Sequence, residues 1–334
     1  MKTFKVSIRL TSDLCTPFHS DTIFGHLCWI YRYQNGEGAL LNEILGDYDT
    51  NPAVLVSDGF PSGFFPYPCL PPVREEAGTS LFTEFFPEGS KENFLRFLSL
   101  MKRVRKTKWI EEVELKEIAE DLTPLNLARA LLSSEIKKGG KVKPAKVPEN
   151  ETLVAHNTIN RLTGMVEKEG GGFFHTLENR TRSLSFDIYV RTSLGWTEED
   201  VGELFSLMGR WGYGKDSSTG KGQFLVEGVA EYTFPNKGNA VIALSHFIPD
   251  ESLYGGYYSI DTKYGKLGGP YSQGAVAFPK TPLVMLKPGA VFKTREVKPL
   301  YGQSVGPIHP ELRNVRQQTY CLPYFINLGG EENE

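Results

Sequence analysis

Between residues 210 and 222 the chain reads Arg210-Trp211-Gly212-Tyr213-Gly214-Lys215-Asp216-Ser217-Ser218-Thr219-Gly220-Lys221-Gly222. Glycine lets a backbone come close to a ligand and turn its amides toward an anion. Lys215 and Lys221 add positive charge, and Ser217, Ser218 and Thr219 add hydroxyls. Tyr213 adds a ring on which a base can stack. These residues suit a cradle for a sugar–phosphate chain; a long surface turn is the other reading of the same stretch. A nucleotide P-loop is excluded by spacing. Gly214 and Gly220 enclose five residues instead of four, and Gly222 stands where Ser or Thr would bind magnesium. The stretch also follows a helical pattern, whereas a P-loop follows a strand.

A second segment, Lys263-Tyr264-Gly265-Lys266-Leu267-Gly268-Gly269-Pro270-Tyr271, mixes glycine, lysine and tyrosine again. The mixture suits sugar–phosphate contact with base stacking. A third runs from His156 through Arg161 to Gly164 and on to Gly170-Gly171-Gly172-Phe173-Phe174. It reads as a protruding hairpin with an apolar tip able to unstack nucleotides, or as a disordered charged loop, which the pattern alone favours. The six histidines are His19, His26, His156, His175, His246 and His309. None has a sequence neighbour that makes a base–nucleophile pair, although distant residues can meet in a fold. No metal-hydrolysis motif is present.

The elements that must position these segments follow from periodicity. Phe4, Val6, Ile8 and Leu10 alternate with polar residues, a half-buried first strand. A helix capped by Ser20 or Asp21 follows, with Ile23, Phe24, Leu27, Ile30 and Tyr31 on one face and a stop at Asn35-Gly36. A short helix covers 38–45, and Ala53–Ser57 is a buried strand. After a proline-rich stretch, helices are expected over 91–101 and 125–136. Few regular signals fall between 151 and 183, and 137–149 reads as a mobile loop. Ser183–Thr192 is a strand, Thr197 caps a helix ahead of three acids, and Gln223–Thr233 is a strand. The order is β-α-β-β-α-β, the ferredoxin-like arrangement, interrupted by an insertion over roughly residues 60 to 180. The fold class is therefore α+β. Residues 1–235 form the first domain. Residues 236–334, with short strands and no strong helix, form a second, degenerate domain of the same type.

The 334 residues are 40% hydrophobic and 23% charged, a globular balance. Net charge is −3, so nucleic-acid contact requires a local basic face. Cys15, Cys28, Cys69 and Cys321 are scattered without zinc spacing and read as reduced thiols. The first residues lead into a strand pattern rather than a signal peptide, and no apolar run reaches membrane-spanning length. A cytoplasmic protein with no membrane contact is expected.

Six stretches together resemble the Csm four family, a RAMP-superfamily subunit of type III-A CRISPR complexes. They are His19-Ser20-Asp21-Thr22-Ile23-Phe24-Gly25-His26-Leu27-Cys28-Trp29, Val56-Ser57-Asp58-Gly59-Phe60-Pro61 and Asn157-Thr158-Ile159-Asn160-Arg161-Leu162-Thr163-Gly164. The others are Ser218-Thr219-Gly220-Lys221-Gly222, Leu244-Ser245-His246-Phe247-Ile248-Pro249 and Lys263-Tyr264-Gly265-Lys266-Leu267-Gly268-Gly269. They keep one order across nearly the whole chain, to about Tyr320. The resemblance implies two ferredoxin-like (RRM-like) domains and no nuclease activity of its own; no enzyme activity, cofactor or metal is expected. It implies binding of the repeat-derived 5′ handle of the crRNA, and of target RNA near the handle junction. It implies docking to the Cas ten-type large subunit and to the Csm backbone subunit. The stretch 157–174 would be a thumb hairpin. RNA contact would fall to Arg161, to Tyr213, Gly214, Lys215, Ser217, Ser218, Thr219, Gly220, Lys221 and Gly222, and to Lys263, Tyr264, Lys266, Gly268 and Gly269, with His19 and Ser20. Two rival readings remain: a pre-crRNA-processing endoribonuclease of the same superfamily, with His19 or His26 transferring protons, and a protein-only scaffold.

Overall fold

A computed structural model of the chain describes residues 1–137, 151–166, 172–179, 181–268, 279–312 and 315–329. The expectations for 138–149, Gly170, Gly171, Gly269, Pro270 and Tyr271 lie outside them. The first strand, β1 (Lys2–Leu10), pairs antiparallel with both Ser185–Thr192 and Phe224–Glu231. Val54–Val56 joins the far side, so the strands stand in the order 2-3-1-4 of a ferredoxin-like sheet. Helix α1 (Ser20–Asn35) and the helix Glu198–Trp211 cover one face. The alternation that predicted β1 explains this: Phe4, Val6, Ile8 and Leu10 are each at most 1% exposed and meet Ile23, Phe24, Leu27, Val201, Phe205 and Met208. The Glu198–Trp211 helix begins with the expected Thr197 cap, closed into a capping box by Asp200.

The insertion is more structured than its sequence suggests. Helices Glu75–Phe85 and Glu112–Ile118 were not foreseen, and neither has a side-chain cap; Lys91–Val104 and Pro124–Lys137 were. Beyond them Glu151–Asn157 pairs with Phe173–Asn179 in a seven-residue antiparallel hairpin. The disordered-loop reading of this segment is thereby corrected, since the ladder satisfies its backbone groups.

The C-terminal part builds a second antiparallel sheet from Ala240–Ala243, Leu253–Tyr257, Val291–Thr294 and Pro323–Ile326. Residues 236–329 contain no helix among the described residues, so the helical half of a second ferredoxin-like unit has no counterpart within them. Helices of the insertion cover this sheet instead. Phe97, Leu115, Leu127 and Leu132 share a buried cluster with Ala240, Ile242, Leu244, Tyr324 and Ile326. Replacing Thr197 with Ala removes the hydroxyl that accepts from the Asp200 amide and leaves the bond from the Thr197 amide to the Asp200 carboxylate; urea unfolding is expected to show a loss of about 1 kcal/mol.

Candidate functional site

Two of the three sequence segments meet at the connection between β1 and α1, and the residues that follow the hairpin join them. At the glycine-rich loop, Gly222 N–H donates to the Asp13 carbonyl at 2.9 Å, and Lys215 N–H to Thr16 Oγ1 at 3.0 Å. Gly214 N–H donates to His26 Nε2 at 3.1 Å. At the base of the hairpin, Asp13 Oδ1 accepts from the amides of Thr181 and Arg182 at 2.9 and 3.1 Å. The Lys263 segment packs on the other side of α1. Its ammonium lies 2.9 Å from His19 Nδ1, 2.8 Å from Asp21 Oδ1 and 3.1 Å from Thr22 Oγ1.

The loop does not present what its composition suggested. Tyr213 is fully buried, ringed by Phe18 and His26, and its hydroxyl donates to the Pro17 carbonyl at 2.8 Å. It offers no stacking face. The amides of Tyr213, Gly214, Lys215, Thr219, Gly220, Lys221 and Gly222 all donate within the protein. They are not the amides of an open anion cradle. Gly214 and Gly222 serve close packing: both have positive φ, and a Cβ would come within 2.6 Å of Thr16 Cβ or 2.1 Å of the Tyr213 carbonyl. Outward go the side chains of Lys215, Ser218 and Thr219. Lys263 is likewise engaged at α1, whereas Tyr264 and Lys266 are exposed. Arg161 and Leu162 are exposed at the hairpin tip, where Asn160 Oδ1 accepts from the Leu162 and Thr163 amides.

Ser20 was read as an RNA contact and helix cap; it is fully buried and does not cap the helix. The cap position is His19, without a side-chain bond, and the Ser20 amide donates to Asp58 Oδ1 at 3.0 Å. Asp58 also accepts from the His246 amide at 3.1 Å and lies 2.8 Å from His246 Nδ1. Ser20 Oγ accepts from the same His246 amide at 3.1 Å. Burial alone would raise the Asp58 pKa. The His246 charge and hydrogen bond, with His19 and the Ser20 amide, outweigh it and bring the value to about 2. Burial opposes protonation of His246, yet Asp58 raises its pKa overall. Burial, then the neighbouring Lys263 and His246, lower His19 to about 4 against the pull of Asp58 and Asp21.

Sequence reasoning found no partnered proton-transfer group. The fold brings one together: His19 and His246 lie with ring centroids 4.4 Å apart, beside Lys263 and Asp58. No local spacing signals this, because the residues stand more than 200 positions apart. The organising acids Asp13 and Asp58 were missed for the same reason. For RNA cleavage, acid and base must reach opposite oxygens of one phosphate with reacting atoms about 3 Å away. Two rings in contact leave no space for a phosphate between them.

No protein-family model matches this chain, and no curated protein matches it. Solved structures do. It matches a chain of a Csm1-Csm4 cassette in complex with AMPPNP with a TM-score of 0.55 at 16% identity, covering 99% of this chain and 100% of that one. It matches a chain of the cassette with pppApApA with a TM-score of 0.51 at 17% identity, over 99% and 100% of the two chains. A chain of a Csm3-Csm4 subcomplex of the type III-A CRISPR-Cas interference complex is more distant, with a TM-score of 0.46 at 14% identity over 96% and 99%. The fold is thus that of a chain of the Csm1-Csm4 cassettes, matched end to end. Among the described residues no helix is long and apolar enough to cross a membrane.

Two stability tests follow from the buried centre. Asp58→Ala leaves the Ser20 and His246 donors without their acceptor and should cost about 3–5 kcal/mol in urea unfolding. Burial lowers His26 from 6.5 to about 4, so the unfolded chain binds a proton before the folded one does. Its contribution to stability is complete above about pH 6.5 and declines toward pH 4, by on the order of 3 kcal/mol. Unfolding measured at pH 7, 5.5 and 4.5 should show this decline, and His26→Gln should make it shallower, leaving the part that His19, lowered to about 4 as well, contributes.

Proposed function

We propose that this chain is a non-catalytic RNA-binding subunit of a type III-A CRISPR interference complex. In this reading it holds the 5′ repeat-derived handle of the crRNA, with target RNA passing near the handle junction. The observation that carries it is the end-to-end likeness to chains of Csm1-Csm4 cassettes, in agreement with the six ordered stretches of the sequence. The name of those cassettes supports docking to a large Cas ten-type subunit; docking to a backbone subunit rests on the sequence resemblance. RNA contact falls to the outward side chains Lys215, Ser218, Thr219, Tyr264, Lys266 and Arg161, and to the half-buried Lys221. The hairpin Glu151–Asn157/Phe173–Asn179 is the thumb, and its exposed Leu162, Met165 and Ile159 are the apolar wedge.

The handle is held by side-chain cations, so its affinity falls with salt in proportion to the phosphates neutralised. Lys215→Ala with Lys221→Ala should weaken handle binding about tenfold and lower the slope of log affinity against log salt by roughly one to two. Unchanged affinity and slope in that double variant would remove the basis for the loop contact. Crosslinks to subunits but none to RNA would support a protein-only scaffold. The His19–His246–Lys263 group is the observation that favours an endoribonuclease. Incubation with repeat RNA in EDTA decides: the expected result is intact RNA, and site-specific cutting would establish the enzyme.

A further inference from the structure

Beside the first turn of α1, donor atoms of His19, His246 and Asp261 lie within 4.8 Å of one another. His246 Nδ1 is held by Asp58 Oδ2 at 2.8 Å, and both are buried. That contact fixes the ring and turns Nε2 toward Asp261. His246 Nε2 and Asp261 Oδ2 are 3.7 Å apart, beyond hydrogen-bond length. Ligands at about 2.0–2.1 Å from a tetrahedral zinc are separated by about 3.3 Å, so a few tenths of an ångström close the gap. A ligating histidine whose other nitrogen donates to a carboxylate is the usual outer support of such a site. His19 is half-buried and its ring touches that of His246, and Asp261 is half-buried, so the group is reachable from solvent.

We infer that His19, His246 and Asp261 form a binding site for one first-row divalent cation, zinc being the best fit, with Asp58 orienting His246. Two imidazoles and one carboxylate leave a fourth position open for water or an oxygen ligand. His246 binds through Nε2 as a neutral ring, its one proton on Nδ1 and shared with Asp58. His19 binds with a ring nitrogen freed from Lys263, whose ammonium keeps Asp21 Oδ1 and Thr22 Oγ1. The ion would join three parts of the chain: α1, the end of strand Ala240–Ala243, and strand Ile260–Lys263. None of this depends on RNA, so it stands or falls apart from the function proposed above.

The test uses the full chain, stripped with EDTA and free of RNA, titrated with Zn²⁺ calorimetrically and with Co²⁺ by visible absorption. One equivalent should bind, and Co²⁺ should give the intense bands of a four-coordinate N/O site. Asp261→Asn keeps the size of a half-exposed side chain and should leave the fold intact by circular dichroism while weakening Zn²⁺ at least tenfold. Asp58→Asn should weaken it about 10- to 100-fold. No saturable binding up to about 100 µM Zn²⁺, or equal affinity in folded Asp261→Asn, would overturn the site.

Discussion

A single buried carboxylate holds the centre of this molecule. Asp58 takes the first free amide of α1, the amide of His246 and a nitrogen of its ring. An ionised carboxylate is expensive to bury unless donors surround it. Here the donors belong to different parts of the chain: the ferredoxin-like sheet supplies α1, and the C-terminal sheet supplies His246. Satisfying the charge therefore fixes where the two sheets meet. Lys263 and Gln317 extend the same arrangement by fastening Asp21 to the C-terminal strands.

That junction also explains the behaviour of the glycine-rich loop. The loop closes over Tyr213, Thr16 and His26, so its glycines bring backbone against backbone at the start of α1. The amides lie inside, and only a few side chains face water. Affinity for a nucleic acid at such a surface comes from lysine, arginine and tyrosine rather than from a nest of N–H groups.

Much of the sheet around β1, with its two helices, was legible in the sequence. Period-two alternation marks β1 and Ser185–Thr192, and Thr197 with Asp200 marks the start of its helix. These are local signals with one physical cause each. The second sheet was largely illegible: Leu253–Tyr257 carries Gly255 and Gly256 over a register shift, and Pro323–Ile326 is buried on both faces and shows no alternation. The site was half legible. Composition pointed to segments of which two meet at the β1–α1 connection, but Tyr213 and Ser20 are buried, and Asp58, Asp13 and His246 become meaningful only through partners far along the chain. Nothing in a linear reading tells a tyrosine that stacks on a ligand from one that fills a core.

The anchoring of the hairpin to Asp13 has a mechanical consequence. Thr181 and Arg182 follow the arm in the chain, and the same aspartate that holds their amides through its side chain holds Gly222 through its carbonyl. A force that reaches Thr181 and Arg182 therefore bears on Asp13. It reaches the β1–α1 connection and the glycine loop together, so strain applied by whatever the arm touches is felt at the loop some forty residues away in sequence. The protein has the makings of a lever whose fulcrum is one side chain.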